Sequence, residues 1–229
     1  MKLLDLYCKA GGAGYGYHQA GFEVIGVDTA NIKRYPFEFV RRDALDVLSD
    51  TDFLMQFDAI HASPPCQTHS ITKHLRNAQG RKSNKLDLIK QTRAGLIKSG
   101  LPYIIENVQG APLIDPIVLC GSSFGLKVRR HRLFESNIAV TGLPCDHKAQ
   151  GKPVGVYGSM NDQPQGVDKK SGRYVYGGIT ATSIDEARDA MGIDWMLWAD
   201  LVEAIPPAYT KHLGTQLLKH LLPGGGNVL

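Results

Sequence analysis

The chain has 229 residues, 43% of them hydrophobic and 21% charged, which is ordinary for a soluble globular protein with one large α/β domain. No apolar run approaches the ~20 residues of a membrane-spanning helix, and a first strand begins at once, so we expect neither a membrane span nor a signal peptide. The four cysteines form no C-x-x-C pair and the formal charge is +4, which favours reduced cytoplasmic thiols and permits a polyanionic partner.

The first 28 residues predict a nucleotide-binding βαβ unit. Residues 2–7 read as a strand, residues 11–16 as a glycine-rich turn, and residues 17–21 continue into a helix of about two turns. A second strand at 23–27 ends in Asp28. Glycines let a backbone approach a ligand closely, and an acid at this strand end can bind both ribose hydroxyls of an adenosyl group.

A third strand is predicted at 38–41, and Asp43 leads from it into a short helix at 44–55. Asp43 has two interpretations, which the residues leave open. It caps the helix, or it contacts the amino group of an adenine.

Cys66 follows a predicted buried strand at 57–62. Pro64 and Pro65 precede it and fix φ at two positions, so the thiol is held on a stiff loop at the carboxyl edge of the sheet, where ligands of open α/β sheets bind. A buried apolar thiol and a nucleophile are both open interpretations. The basic segment 68–85 is a solvated loop or a lid that closes on phosphates.

Polar residues also end the next predicted strand, at 101–105, which runs into Glu106 and Asn107. A glutamate at the end of a buried strand is costly unless it is paired or functional. Residues 119–126 predict a strand and a turn, and residues 128–136 predict a strand with a dense cationic cluster, either a charged edge strand or one that contacts an anion or a base.

Residues 137–178 change character, being rich in Gly, Pro, Gln and Lys, and predict a small insertion of turns and short strands. Cys145 and His147 within it are too few for a zinc site by themselves. Further helices are predicted at 86–99, 180–198, 195–203 and 208–222, with a capping-box-like start at Ser183 and Glu186.

Taken in order, these segments resemble the DNA (cytosine-5) methyltransferases. The resemblance lies in DLYCKAGGAGYGYHQAGFEVIGVD (5–28), SPPCQTHS (63–70), IIENV (104–108), RRHRLF (129–134), GITATSIDEARDAMGID (178–194) and AIPPAYTKHLGTQLLKHL (204–221). It implies an α/β, doubly wound, Rossmann-like sheet of the S-adenosylmethionine-dependent type. It also implies a catalytic domain of residues 1–136 and 179–223, a small irregular target-recognition insertion at 137–178, and a flexible tail at 224–229.

The resemblance implies covalent catalysis on a cytosine. Cys66 would attack carbon 6, so that carbon 5 can take a methyl group from S-adenosylmethionine. Glu106 would protonate or hydrogen-bond ring nitrogen 3, and Asn107 would hold the Glu106 loop. Arg132 would bind the exocyclic oxygen, and Arg130 would position Glu106 or the cysteine loop electrostatically. No metal is required, and a duplex substrate implies base flipping.

For the cofactor, S-adenosylmethionine, the resemblance implies a site along the first turn and the neighbouring strand ends. The implied residues are Tyr7, Lys9, Ala10, Gly11, Gly12, Asp28, Asp43, Pro65 and Glu203. Lys9 replaces a glycine of the family pattern and Glu203 replaces an asparagine, and we hypothesise that these two pair and shape the methionine end of the pocket. A further departure is Val128, which replaces a glutamine near the target base.

The predicted partner is double-stranded DNA, bound by a monomer in a prokaryotic or phage-infected cell, as in DNA modification of the restriction-modification type. The short insertion predicts a recognition site of about two to four base pairs, because few side chains can reach base edges. We expect its basic residues mostly to touch phosphates: Lys148, Lys152, Lys169, Lys170 and Arg173. A tRNA cytosine-5 methyltransferase and a non-catalytic nucleic-acid-binding relative are the alternatives.

Overall fold

A computed structural model gives the fold and describes residues 1–65, 88–158 and 179–222. Several predictions fall outside these residues. They concern Cys66 as nucleophile, the lid at 68–85, residues 159–178 of the insertion at 137–178 and the tail at 224–229.

A seven-stranded mixed sheet, ordered β3-β2-β1-β4-β5-β7-β6, organises the described residues. Its strands are β1 (Lys2–Leu6), β2 (Glu23–Asp28), β3 (Glu38–Arg41), β4 (Ala59–Ala62), β5 (Tyr103–Asn107), β6 (Ile117–Leu119) and β7 (Arg132–Ser136). β1 to β5 are parallel, and β7 is antiparallel to both β5 and β6. The carboxyl ends of β1 to β5 therefore meet the amino end of β7 at one edge. A separate parallel pair joins β8 (Val154–Gly155) to β9 (Ile179–Thr180).

Helices cover both faces of the sheet, as a doubly wound fold requires. They are α1 (Gly12–Ala20), α2 (Ala44–Leu48), α3 (Thr51–Leu54), α4 (Leu88–Ser99), a 3₁₀ turn (Gly121–Phe124), α5 (His147–Gln150), α6 (Ile184–Met191), α7 (Trp198–Glu203) and α8 (Pro207–Leu221). None of the helices in the described ranges is both long and apolar enough to cross a bilayer.

The side chains of β1 alternate between two hydrophobic cores, one on each face of the sheet. Leu4 and Leu6 point into a core shared with α2 to α4, whereas Leu3 points into a core shared with α1 and α8. Successive strand side chains point to opposite faces, so β1 contributes apolar side chains to both cores. The predicted α/β Rossmann-like class is confirmed.

Glycines in α1 serve packing as well as the turn. The helix starts at Gly12, so three of the glycines assigned to the turn are helical, a correction to the prediction. A Cβ at Gly12 would lie 2.5 Å from the Ile205 carbonyl oxygen, and one at Gly16 would lie 2.1 Å from that of Pro207. The absence of side chains thus lets α8 and the segment before it lie directly on α1.

Two other helix predictions were wrong. The helix expected at 44–55 is split into α2 and α3, because Asp50 accepts a hydrogen bond from the Phe53 amide and starts a new helix. The helix expected at 180–198 ends at Met191, where Gly192 adopts a left-handed conformation with φ of 67°. Half of the predicted capping box is present, because Ser183 Oγ accepts from the Glu186 amide, whereas the Glu186 carboxylate accepts from the Thr182 amide instead of that of Ser183.

Strand predictions failed on the antiparallel side of the sheet. The strand expected at 128–136 begins only at Arg132, because Arg130 has a φ of 38° that a strand cannot contain. The segment 119–126, expected to be a strand and a turn, is the end of β6 followed by a 3₁₀ turn.

Candidate active site

The sheet edge gathers the predicted catalytic residues that lie in the described ranges. Glu106 and Asn107 end β5, and Arg132 begins the neighbouring β7. Pro65, an exposed residue, is the last one described before Cys66, on the loop that leaves β4. The strand order brings these segments together, because β4 and β5 are adjacent and parallel and β7 lies antiparallel beside β5.

Glu106 forms a largely buried ion pair with Arg132. The distance from Arg132 Nε to Glu106 Oε1 is 3.1 Å, and the side chains are 14% and 8% exposed respectively. Burial raises the pKa of Glu106 above its ordinary value, while Arg132, a hydrogen bond with Ser63 and the charge of Arg130 oppose that rise. This carboxyl is thus more readily protonated than an exposed glutamate, and an arginine lies beside it.

Asn107 is bound to the loop that carries Cys66. Its Nδ2 donates to the Pro64 carbonyl oxygen at 2.8 Å, and its Oδ1 accepts from the Val108 amide at 3.0 Å. The resemblance assigned Asn107 to the Glu106 loop. The contact with Pro64 extends that assignment to the segment two residues before Cys66.

A buried hydrogen-bond chain leads to Glu106, and the sequence analysis missed it. Tyr17 Oη lies 3.0 Å from His61 Nδ1, and His61 Nε2 lies 2.8 Å from Ser63 Oγ. Ser63 in turn hydrogen-bonds Glu106. Burial lowers the pKa of His61 to about 3, so the imidazole is neutral. The available signal was a histidine within an otherwise apolar strand.

Neutral His61 has one donor and one acceptor nitrogen, so the chain has a direction. With Glu106 ionised, each group donates towards it, from Tyr17 through Ser63. With Glu106 protonated, the donors can reverse. The hydrogen bonds between these groups can therefore persist in both protonation states of the Glu106 carboxyl.

Arg130 is buried and hydrogen-bonds backbone carbonyl groups of two other segments. Its guanidinium donates to the carbonyl oxygens of Val156 and Leu201, at 3.2 and 3.1 Å, and also to that of Val202. Its Nε has no hydrogen-bond partner among the described residues. Burial lowers the pKa of Arg130 to about 10, which leaves it cationic. Its direct contacts thus join α7 to the residue that follows β8, and its influence on Glu106 is electrostatic.

The first turn is tightly wound around Asp28. Tyr7, Lys9 and Gly11 have φ of 60°, 49° and 86°, all left-handed. The Asp28 carboxylate accepts from the Lys9 amide at 3.2 Å and from the Ala30 amide at 3.0 Å. Each oxygen keeps a lone pair, so Asp28 can still accept from the two hydroxyls of a ribose.

The hypothesised pair between Lys9 and Glu203 is present. Lys9 Nζ lies 2.5 Å from Glu203 Oε2, with both side chains exposed. Beside it, the Trp195 indole donates to the Ala10 carbonyl oxygen at 3.0 Å. Trp195 and Glu203 therefore both lie against the first turn.

Two other predicted cofactor residues make contacts within the protein. Tyr7 Oη lies 2.8 Å from Thr92 Oγ1 in α4. Asp43 accepts from the Leu45 amide at 2.8 Å and caps α2. The capping interpretation of Asp43 is thus observed, and its exposed carboxylate keeps an oxygen for an adenine contact, which stays a prediction.

Asp5 is a second group that the sequence analysis missed. It lies below the first turn, 1% exposed, and accepts from Tyr35 Oη at 3.1 Å and from the Gly14 amide. Its Oδ1 has no partner within the described ranges. Burial raises the pKa of Asp5 to about 7.

The donor set at this edge fits an S-adenosyl group. The amides that begin α1 receive no side-chain cap from Gly11, so they are suited to a carboxylate. Asp28 suits ribose hydroxyls, and Glu203 suits an ammonium group. All three lie on the β1–β2 side of the edge, next to the β4–β5 side that carries the Cys66 loop and Glu106.

Sequence comparison gives one family and two named relatives. Residues 1–112 match the model of the C-5 cytosine-specific DNA methylase family. The type II methyltransferase M.FnuDI of Fusobacterium nucleatum is 34% identical over 83 residues, 33% of this chain and 24% of that protein. The type II methyltransferase M.AgeI of Thalassovita gelatinovora is 26% identical over 198 residues, 72% of this chain and 46% of that protein. The chain thus spans from a quarter to about half of these relatives.

Solved structures share the fold. A chain described as a DNA modification methyltransferase encoded within an E. coli prophage superposes with a TM-score of 0.60 at 14% identity, covering 96% of this chain and 99% of that one. The S. pombe Dnmt2 methyltransferase gives 0.58 at 12% identity with the same coverage. At such identities the likeness shows the fold alone.

Proposed function

We propose that the chain is a member of the C-5 cytosine-specific DNA methylase family, whose model matches residues 1–112, and that it transfers a methyl group from S-adenosylmethionine to carbon 5 of cytosine in double-stranded DNA. The observation that carries the proposal is the buried Glu106–Arg132 pair beside the loop that leads to Cys66. A raised carboxyl pKa and a fixed guanidinium suit the recognition of a cytosine ring better than a structural role on a strand end.

Cys66 is the nucleophile of the proposed reaction. Its thiolate adds to carbon 6 of the cytosine, and the ring becomes an enamine whose carbon 5 is nucleophilic. After methylation, a base removes the carbon 5 proton and the thiolate leaves from carbon 6. Asn107 supports this role, since its bond to the Pro64 carbonyl fixes the loop that leads to the thiol.

Glu106 and Arg132 act on the polar edge of the base. Protonated Glu106 donates to ring nitrogen 3, which removes the negative charge that develops there as sulfur adds. Arg132 donates to the exocyclic oxygen and holds Glu106 in place through their 3.1 Å contact. The cytosine must leave the base stack for this contact, so a duplex substrate requires base flipping.

S-adenosylmethionine supplies an electrophilic methyl group when it is bound. In the proposal Asp28 binds its ribose, Asp43 its adenine, and Tyr7, Ala10, Gly11, Gly12 and Pro65 line the pocket. The Lys9–Glu203 pair orients the methionine end.

Residues 1–136 and 179–223 are proposed as the catalytic domain, with target recognition by 137–178. Lys148 and Lys152 belong to the described start of that insertion and are exposed, which supports phosphate contacts. The proposed outcome is DNA modification of the restriction-modification type.

A covalent trap tests the thiol mechanism. Duplex DNA with 5-fluorocytosine at every cytosine needs no known recognition site, because fluorine at carbon 5 blocks the final elimination. We expect a denaturation-resistant protein–DNA complex that requires S-adenosylmethionine. The Cys66→Ser variant keeps the other three cysteines and should bind DNA without trapping it. Trapping by that variant, or none by the natural chain, would contradict the proposal.

A further inference from the structure

Four potential metal ligands meet where β6 ends and β7 begins. Cys120 directly follows β6, and His131 directly precedes β7. Because Leu119 pairs with Arg132 in the antiparallel register, Cys120 and His131 face each other at the end of this pair. Cys145 and His147, at the start of α5, return to the same point.

The ligand atoms of these four residues all lie within 4.8 Å of one another. Cys120 Sγ is 3.3 Å from His147 Nε2, and Cys145 Sγ is 3.4 Å from His131 Nε2. In a tetrahedral zinc site, bonds of about 2.3 Å to sulfur and about 2.0 Å to nitrogen place neighbouring ligand atoms about 3.5 Å apart. The observed sulfur–nitrogen distances match that geometry.

We propose that Cys120, His131, Cys145 and His147 bind one structural Zn²⁺ ion. Two thiolates and two imidazoles are a zinc ligand set, and four protein ligands close the coordination shell, so the ion has no open position for catalysis. Both thiols bind as thiolates, and their protons pass to solvent. This proposal does not rest on the proposed methyl transfer.

The surroundings of the cluster support a built site. Ser122 Oγ donates to Cys120 Sγ at 3.2 Å and accepts from the Asp146 amide at 3.1 Å. Asp146 lies between Cys145 and His147 and caps α5 through the Ala149 amide at 2.9 Å. Such hydrogen bonds orient metal ligands and adjust the charge on a coordinating sulfur.

Zinc here would join three segments that converge on the active site. The ligands come from the end of β6, from the residue between Arg130 and Arg132, and from the start of the insertion at 137–178. The His131 carbonyl oxygen also accepts from Arg132 Nη1 at 3.0 Å. The ion would therefore fix the backbone that presents Arg132 and anchor the beginning of the insertion.

The first test is metal content, measured by inductively coupled plasma mass spectrometry on protein purified with a reductant. We expect about one zinc per chain, falling below about 0.2 in Cys145→Ser and in His147→Asn. His220→Asn, an exposed histidine of α8, and Cys66→Ser are matched controls and should keep the full content.

Cobalt gives a second readout that needs no variant. Apo-protein titrated with Co²⁺ should develop the visible d–d bands of a tetrahedral ion and a thiolate charge-transfer band, saturating at about one equivalent. Octahedral spectra, zinc below about 0.2 per natural chain, or a Cys120–Cys145 disulfide in reductant-purified protein would each overturn the proposal.

Discussion

Lys9 Nζ lies 2.5 Å from Glu203 Oε2 and joins the first turn to the end of α7, across 194 positions of sequence. Both residues depart from the pattern that the chain otherwise resembles, and their pairing was a hypothesis from those departures alone. The two side chains are each 60% exposed, so the pair adds little to stability. We expect the pair instead to fix the conformation of the first turn, where the methionine end of the cofactor is proposed to bind.

Lys9→Gly and Glu203→Ala should therefore weaken S-adenosylmethionine binding non-additively. Each single change is expected to raise Kd about threefold to tenfold. The increase in the double variant should be smaller than the product of the two single increases, because either change already breaks the pair. Isothermal titration calorimetry measures this. Lys127 and Asp189 form an equally exposed pair at 2.6 Å away from the first turn, and their alanine variants should leave Kd unchanged. Independent effects of Lys9 and Glu203 would rule the coupling out.

Ser63→Ala should move the basic limb of the pH–kcat/KM profile to higher pH. Ser63 hydrogen-bonds Glu106 and thereby opposes the rise in its pKa. Removing that bond raises the Glu106 pKa further, so the protonated, active form persists to higher pH. Ser99→Ala, which removes a bond at the end of α4, is the control. A limb that stays in place or moves to lower pH would contradict the role of Glu106 as proton donor.

Asn107→Ala should lower kcat about 10- to 100-fold with little change in cofactor Kd, because the Pro64 carbonyl loses its donor and the Cys66 loop loosens. Asn137→Ala is a matched control. Asn137 accepts from the Tyr103 amide at 2.7 Å and donates to the Leu101 carbonyl at 3.0 Å, at the opposite end of β5. Both variants should lose about 1–3 kcal/mol of stability, and equal losses of kcat would mean that Asn107 acts only through stability.

Asp5→Asn should stabilise the protein increasingly as pH rises. Burial raises the pKa of Asp5 from 3.8 to about 7, so the folded state binds the proton more tightly than the unfolded state. The contribution of this group to stability is complete below about pH 4 and is lost as pH rises through about 7. Between pH 5.5 and 8.5 the advantage of the variant should grow by about 2 kcal/mol in urea unfolding. Parallel pH dependence in the two proteins would contradict the buried, protonated Asp5.

The sequence predicted the parallel half of the sheet well because most of its strands are short apolar runs that end in polar residues. Asp28, Glu106 and Asn107 were found in this way, since topology alone places parallel strand ends at one edge. The antiparallel half was predicted less well. Arg130 has a strand-like sequence context, yet it has a left-handed φ and donates to the carbonyl oxygens of Val156 and Leu201.

Long-range contacts explain what sequence could not supply. His61 and Ser63 lie next to Glu106 only because β4 and β5 are neighbours. Cys145 and His147 are too few for a metal by themselves, and Cys120 and His131 complete the cluster through the register of β6 with β7. The packing of α8 on α1 is likewise a long-range contact. It accounts for three glycines that were expected in a turn and lie in helix α1.

Identification of the methylated nucleoside tests the central claim most directly. Duplex DNA and tRNA are each incubated with the protein and S-adenosylmethionine carrying a tritiated methyl group, digested, and analysed by chromatography with mass spectrometry. The account predicts 5-methyl-2′-deoxycytidine in the DNA, none with Cys66→Ser, and bisulfite sequencing that maps the modified cytosines to a short or degenerate site. Label confined to tRNA, or a methyl group at another position of the base, would contradict it.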